Sequence, residues 1–193
     1  MPARTILMSP SYNASAMSIF VCPLSKVEET IAKQKPSRVI SILDPGSDFP
    51  DLGASYVGRH LSLEFHDIHL PTLDLVMPAA THVDRLLRFL NRWDPAESLL
   101  IHCRAGIGRS TAAAFITACY HNPKIDEEQI ATDLIHASPI ARPNKTLIRI
   151  ADNAMSRKGR MLIAMENALR DITWVDAAEN QPFQIPSIYP GGK

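Results

Sequence analysis

No apolar run in this 193-residue chain approaches the roughly 18–20 residues needed to cross a bilayer, which excludes a membrane-spanning helix. The longest run, from Ala112 to Tyr120, is interrupted by Thr117. Before Ser11 there is one Arg and a short patch, Ile6-Leu7-Met8, cut off by Pro10, too little for the apolar core of a signal peptide. Cysteine is scarce as well. Cys22, Cys103 and Cys119 are an odd, scattered set, which argues against a disulfide framework and for a reducing compartment. The expected location is therefore the cytoplasm. An excess of charge of one sign is also missing: 20 Lys and Arg balance 20 Asp and Glu. No global field recruits nucleic acid or an anionic membrane, so neither is an expected partner, and any anion specificity must be local.

What the chain does contain is ordinary globular material, 46% hydrophobic and 21% charged, in a length that suits one core. Residues 1–178 read as a single domain. Residues 179–193, with several prolines and glycines and little periodicity, read as an extended tail. The domain opens as β-α-β: a strand at Ile19-Phe20-Val21, a helix through Val27, Ile31 and Ala32 with Ser25 as its N-cap, and a strand at Val39 to Leu43 ended by the turn Asp44-Pro45-Gly46. Residues 55–65 read as extended, and His66 to Met77 as a polar loop. Val83, Leu86, Leu87 and Leu90 then form the stripe of an amphipathic helix. Leu99-Leu100-Ile101 is a short apolar run of the kind found in a strand covered on both faces. Everything after it reads as helix: a buried one from Arg109 to Tyr120, one capped by Asp126 with Gln129, one from Pro143-Asn144, and one through Leu162, Met165, Leu169 and Ile172.

Chemistry concentrates in the middle strand-turn-helix unit, Leu99-Leu100-Ile101-His102-Cys103-Arg104-Ala105-Gly106-Ile107-Gly108-Arg109-Ser110-Thr111. A strand ends in a cysteine and a helix begins six residues later. The two glycines between them permit backbone conformations closed to other residues, so that successive amides can face one concavity and bind an oxyanion. Residues Arg104, Ala105, Gly106, Ile107 and Gly108 would line that nest. The helix N-terminus adds positive potential, and the Arg109 guanidinium can grip two phosphoryl oxygens at once. Positive surroundings also favour the thiolate of Cys103, the nucleophilic form of cysteine. Ser110 can place its hydroxyl near that sulfur. Cys119, in an apolar helix, reads as core.

The run His102-Cys103-x-x-Gly106-x-x-Arg109-Ser110 resembles the signature loop of the cysteine-dependent protein tyrosine and dual-specificity phosphatases. The flanking pattern, from Ile19 to the Arg142-Pro143-Asn144 segment, is similar to the small dual-specificity scaffold. The resemblance implies an α/β fold with a central, mainly parallel sheet of about four to five strands flanked by helices. It implies Cys103 as nucleophile, Arg109 as phosphoryl grip, Ser110 as the hydroxyl that aids departure of the thiolate, and His102 as a positioning residue. It implies no cofactor and no metal.

The resemblance also implies an upstream aspartic acid that protonates the leaving group. Asp67 and Asp74 are the candidates. Asp67 is preferred because it directly follows the extended segment ending at Phe65. His66, Asp67, His69 and His82 lie close enough in sequence to suggest a metal site, but no Cys or carboxylate at zinc spacing completes it. Lys145 reads as a solvated surface residue. The expected activity is hydrolysis of phosphotyrosine, with phosphoserine and phosphothreonine as further substrates, on a phosphorylated protein or peptide. Inositol-lipid or inositol-phosphate hydrolysis ranks second, because related loops carry two basic residues where this one has only Arg104, with Ile107 at the other position. A phosphopeptide-binding module and a sulfurtransferase are the readings from other classes.

Overall fold

A computed structural model describes residues 17–173 and 176–191. The elements, in chain order, are β1 (Ser18–Pro23), α1 (Val27–Gln34), β2 (Arg38–Leu43), β3 (His60–Glu64), α2 (Ala80–Leu90), β4 (Leu99–Cys103), α3 (Arg109–His121), α4 (Glu127–Ala137), α5 (Lys145–Ala154), α6 (Arg160–Leu169) and β5 (Phe183–Pro186). The strands form one sheet in the order β3-β2-β4-β1-β5. The first four are parallel, and β5 runs antiparallel to β1. This is the expected α/β architecture.

Parallel strands place all their carboxyl ends along one edge of the sheet, and ligand sites of such sheets gather there. On that edge β4 delivers Cys103, β2 leads into Asp44, β3 leads into Phe65, His66 and Asp67, and β1 leads into Pro23 and Leu24. Residues far apart in sequence therefore meet at one line.

Alternation along β4 divides the core. Leu99, Ile101 and Cys103 face the larger cluster, built with α2 to α6, and Leu100 faces a smaller one with Phe20, Cys22, Val27 and Val39. The central helix is α3, in which every residue from Arg109 to Cys119 is buried. Such a helix has no polar face to present, which is why its sequence is alanine-rich and apolar on every side. The α4–α6 contact is fastened by the buried Glu127, whose Oε1 accepts from Arg157 at 2.8 Å and Arg160 at 3.0 Å.

Several local expectations change. Ser25 does not cap α1: the cap is Lys26 with no side-chain bond, and the Ser25 hydroxyl donates instead to Glu179 Oε2 at 2.6 Å. Of residues 55–65, only His60–Glu64 is strand, preceded by a 3-10 turn at Ala54–Tyr56. Asp126 does cap α4, through its own Oδ1 and the amide of Glu128. Asn144 caps α5.

The largest correction concerns residues 179–193, expected to be a tail outside the domain. Phe183–Pro186 instead completes the sheet as β5, pairing Ile185 with Ile19. Beyond it, the side chain of Asn122 at the end of α3 donates to Ser187 O at 2.9 Å and accepts from Tyr189 N at 2.8 Å. The strand escaped notice because Phe183-Gln184-Ile185-Pro186 is short and ends in proline, which the outer position of an edge strand tolerates. Ile185→Ala should therefore lower stability by about 2–4 kcal/mol, the usual cost of emptying a buried aliphatic site. Denaturant unfolding measures it, and a loss near zero would return the segment to the status of a tail.

Candidate functional site

The loop between β4 and α3 is held from outside by its carbonyl groups. Arg104 O accepts from Leu24 N at 3.0 Å, Ala105 O from Asn180 N at 2.8 Å, and Gly106 O from Asn180 Nδ2 at 2.9 Å. Ile107 O accepts from Arg142 N at 2.9 Å, and Gly108 O from Asn144 N at 3.2 Å and Ala112 N at 3.1 Å. A trans peptide sets each amide opposite the preceding carbonyl, so outward carbonyls at 104–108 turn the amides of 105–109 inward. Cys103 lies within that arc, 2% exposed. The amide of Gly106 points at its sulfur at 3.3 Å, and Ser110 Oγ lies 3.1 Å from it.

The two glycines of the loop are required for different reasons. Gly106 has φ +72°, and a Cβ there would lie 2.9 Å from Pro23 N. Conformation and space both demand glycine at that position. Gly108 has φ −105°, open to any residue, but a Cβ would collide with the Asp67 carboxylate. Its lack of a side chain leaves room for the Asp67 carboxylate.

The Asp67 carboxylate thus sits against the loop at Gly108. Its Oδ1 accepts from Asn144 Nδ2 at 2.7 Å, and Asn144 reaches Ile68 O as well, at 3.3 Å. Asp74 lies farther along the same loop, exposed and with φ +62°. The neighbouring histidines shape the loop: Val76 N donates to His66 Nδ1 at 2.9 Å, and Ala79 N to His82 Nδ1 at 3.0 Å. Lys145 is exposed and pairs with Glu166 at 3.1 Å.

Arg109 is 4% exposed. Its Nη1 donates to Asp44 Oδ1 at 2.8 Å and to Phe65 O at 2.6 Å, which fixes the plane of the guanidinium. The Nε is buried and has no hydrogen-bond partner among the described residues. A buried donor left open is costly, and an anion in the loop would satisfy it. Arg104 is mostly exposed, with its Nε 3.8 Å from Asp44 Oδ2.

His102 projects from the opposite face of β4. Ser41 Oγ bridges His102 Nε2, at 2.5 Å, and His60 Nε2, at 2.7 Å, so a hydrogen-bonded chain crosses three adjacent strands. Burial, and secondarily the His60 charge, push the His102 pKa down to about 4, so its ring is neutral at physiological pH.

Three residues at this site escaped the sequence reading. In the sequence Asp44 reads only as part of a turn, and it does make one, but its carboxylate holds Arg109. Its place just beyond β2 was legible in the sequence, but the adjacency of β2 and β4 that brings it to Arg109 was not. Asn144 reads as a helix start, and nothing in the sequence links it to Asp67. Asn180 lay in the supposed tail, where no periodicity marked it.

Comparison with known proteins adds the fold. No family model and no curated protein matches the chain. Solved structures do. The human tyrosine phosphatase-like serine/threonine/tyrosine-interacting protein superposes with a TM-score of 0.55 at 16% identity, over 72% of this chain and 92% of that one. The Yvh1 phosphatase domain from Chaetomium thermophilum gives 0.52 at 18%, over 74% and 93%. PTPMT1 in complex with PI(5)P gives 0.52 at 9%, over 72% and 90%. The chain has the dual-specificity phosphatase fold.

Two measurements follow from the site. Burial pushes the Cys22 thiol up to about 12, helped by the nearby Cys103 against a Thr30 hydrogen bond, and pushes Cys119 still higher. At pH 7–8 both are protonated and enclosed. Iodoacetamide should modify one cysteine per native chain, Cys103, and all three in denaturant, as peptide mapping will show. Mild peroxide should leave no Cys22–Cys103 disulfide, because the two side chains lie on opposite faces of the sheet. The reversible end state expected for oxidised Cys103 is then a sulfenamide with a backbone nitrogen.

The buried neutral His102 sets a pH dependence. Its folded pKa lies below the usual 6.5, so between about pH 6.5 and 4 the unfolded chain binds more protons and stability falls as pH falls. The full effect is about 3 kcal/mol, at 1.36 kcal/mol per unit. Urea titrations of the wild type and of His102→Gln across this window test it. The variant should lose less on acidification, and parallel curves would remove His102 as the cause.

Proposed function

We propose that this protein is a phosphomonoesterase acting on phosphotyrosine, and on phosphoserine and phosphothreonine, in protein substrates through a phosphocysteine intermediate. The observation that carries the reading is the convergence on one thiol: Cys103 within an arc of inward amides, Ser110 at 3.1 Å, Arg109 held in plane by Asp44, and Asp67 across Gly108. The loop and Arg109 bind the three non-bridging oxygens. The Cys103 thiolate attacks phosphorus, the P–O bond to the leaving group breaks, and Asp67 gives its proton to that oxygen. Water then attacks phosphorus with Asp67 carboxylate taking the proton. The P–S bond breaks, and the Ser110 hydroxyl stabilises the departing thiolate. Amides aimed at the equatorial oxygens favour the transition state, where negative charge is redistributed, over the ground state.

Asn144 gives the acid its geometry. One carboxyl oxygen accepts its amide and the other lies against Gly108 over the loop, so the proton is carried on the side facing the substrate.

Inositol-lipid phosphate is the second reading. The loop that carries Asp67 exposes Leu70 and Leu73, at 74% and 88%, apolar side chains that a lipid surface or the flank of a peptide could cover. Rates on phosphotyrosyl peptide and on phosphoinositide vesicles separate the two. Peptide binding without turnover would select the binding-module reading instead.

Cys103→Ser should abolish hydrolysis of an aryl phosphate while retaining vanadate or phosphate binding, and Arg109→Lys should be severely impaired, since an ammonium lacks the planar two-donor fork. Near-wild-type turnover by the serine variant excludes the covalent route. Asp67→Asn should lower kcat by about 10²–10⁴-fold on phosphotyrosine and much less on a substrate whose leaving group is a weak base. The same leaving-group pattern in Asp74→Asn, and its absence in Asp67→Asn, would transfer the role of acid to Asp74.

A further inference from the structure

Gly106 solves one problem in the catalytic loop and creates another. With φ +72° it makes the turn that brings its amide to the Cys103 sulfur. Glycine also lets the peptides on either side of it flip at little cost, because no Cβ resists the alternative conformation. A flip of the Ala105–Gly106 or Gly106–Ile107 peptide would exchange an inward amide for an inward carbonyl oxygen. In a bowl built for a phosphoryl group, that replaces attraction with repulsion.

The carbonyls of those two peptides, Ala105 O and Gly106 O, are held by one residue. Asn180 N donates to the first at 2.8 Å and Asn180 Nδ2 to the second at 2.9 Å. Asn180 is 5% exposed, and Ser138 Oγ lies 2.8 Å from its Nδ2 and 3.1 Å from its Oδ1, which fixes the amide plane. A Cβ on Gly106 would come 3.2 Å from the Asn180 Cβ, so the two segments are in close contact. The segment is anchored on both sides of this point. Glu179 accepts from Ser25, β5 pairs with β1, and Asn122 and Pro95 O hold Ser187.

We propose that Asn180 is a positioning residue of the catalytic loop, a two-point clamp that keeps the amides of Gly106 and Ile107 turned toward the phosphoryl group. The clamp rests on the phosphatase reading for its consequence in catalysis, but not for its effect on the loop. Asn180 touches no substrate. It acts by removing the freedom that Gly106 introduces, so that the anion meets donors already in place.

Asn180→Ala and the near-isosteric Asn180→Asp keep the backbone bond to Ala105 O and lose the side-chain donor to Gly106 O. Both should lower kcat on an aryl phosphate by about tenfold or more and raise the Kd for vanadate similarly, since slight misplacement of such donors costs up to about 10²-fold. The KM should change less than kcat, and the limb of the pH profile set by the general acid should stay in place. Ser187→Ala, which loses a hydrogen bond to Pro95 O on the same segment far along the chain from the clamp, should lower thermal stability without these losses. Amide hydrogen exchange gives a ligand-free readout: Gly106 and Ile107 should exchange faster in both Asn180 variants and not in Ser187→Ala. Unchanged kcat, vanadate Kd and exchange in folded Asn180 variants would overturn the clamp, as would the same losses in Ser187→Ala. A wild type that neither hydrolyses aryl phosphate nor binds vanadate would fail the phosphatase reading instead, and loop exchange would still decide the clamp.

Discussion

Each peptide plane in the loop from Cys103 to Arg109 has two faces to satisfy, and the protein spends five carbonyl groups to aim the amides. The donors to those carbonyls come from the segment after β1, the loop before α5, the first turn of α3 and the chain before β5. A concentration of like-oriented amides is electrostatically unfavourable unless an anion occupies it or the surroundings enforce it. Here the surroundings enforce it. The chain around the loop therefore supplies in advance the ordering that an anion placed there would otherwise have to impose.

The charged groups follow the same logic. A guanidinium buried to the extent of Arg109 needs compensation, and Asp44 with Phe65 O supplies it on one nitrogen. Because both partners use Nη1, the orientation is fixed without consuming the Nε. Asp67 is treated in the same way, one oxygen bound by Asn144 and the other lying over the loop. The polar chain from His60 through Ser41 to His102 lies behind the loop, on the far face of the sheet. A neutral His102 there braces the strand that carries Cys103 without placing a second cation under the site.

The parallel sheet is what makes these meetings possible. Asp44, Asp67 and Cys103 leave neighbouring strands at the same edge, and Asn144 and Asn180 arrive from later in the chain to close the ring. Solved structures under 20% identical in sequence share this fold, so the arrangement of strands tolerates extensive replacement of residues. What surrounds the loop is free to differ, and in this chain the segment after Asp67 exposes Leu70 and Leu73.

The sequence by itself determined the elements whose physics is local. The stripe of α2, the all-round apolar α3, the strand ending in Cys103 and the spacing of Cys103, Gly106, Arg109 and Ser110 all depend on residues within one or two turns of each other. Asp67 was legible because it follows directly on a strand. Tertiary structure alone decided the rest. That Asp44 orients Arg109, that Gly108 is small to admit Asp67, and that Ser25 binds Glu179 depend on which strands become neighbours, and periodicity does not encode that. The segment after Glu179 is the clearest case. Four residues are too few to announce a strand, and one asparagine carries no pattern, so β5 and the hold of Asn180 on the loop exist only once β1 and the loop after β4 present the edge and the carbonyls they bind.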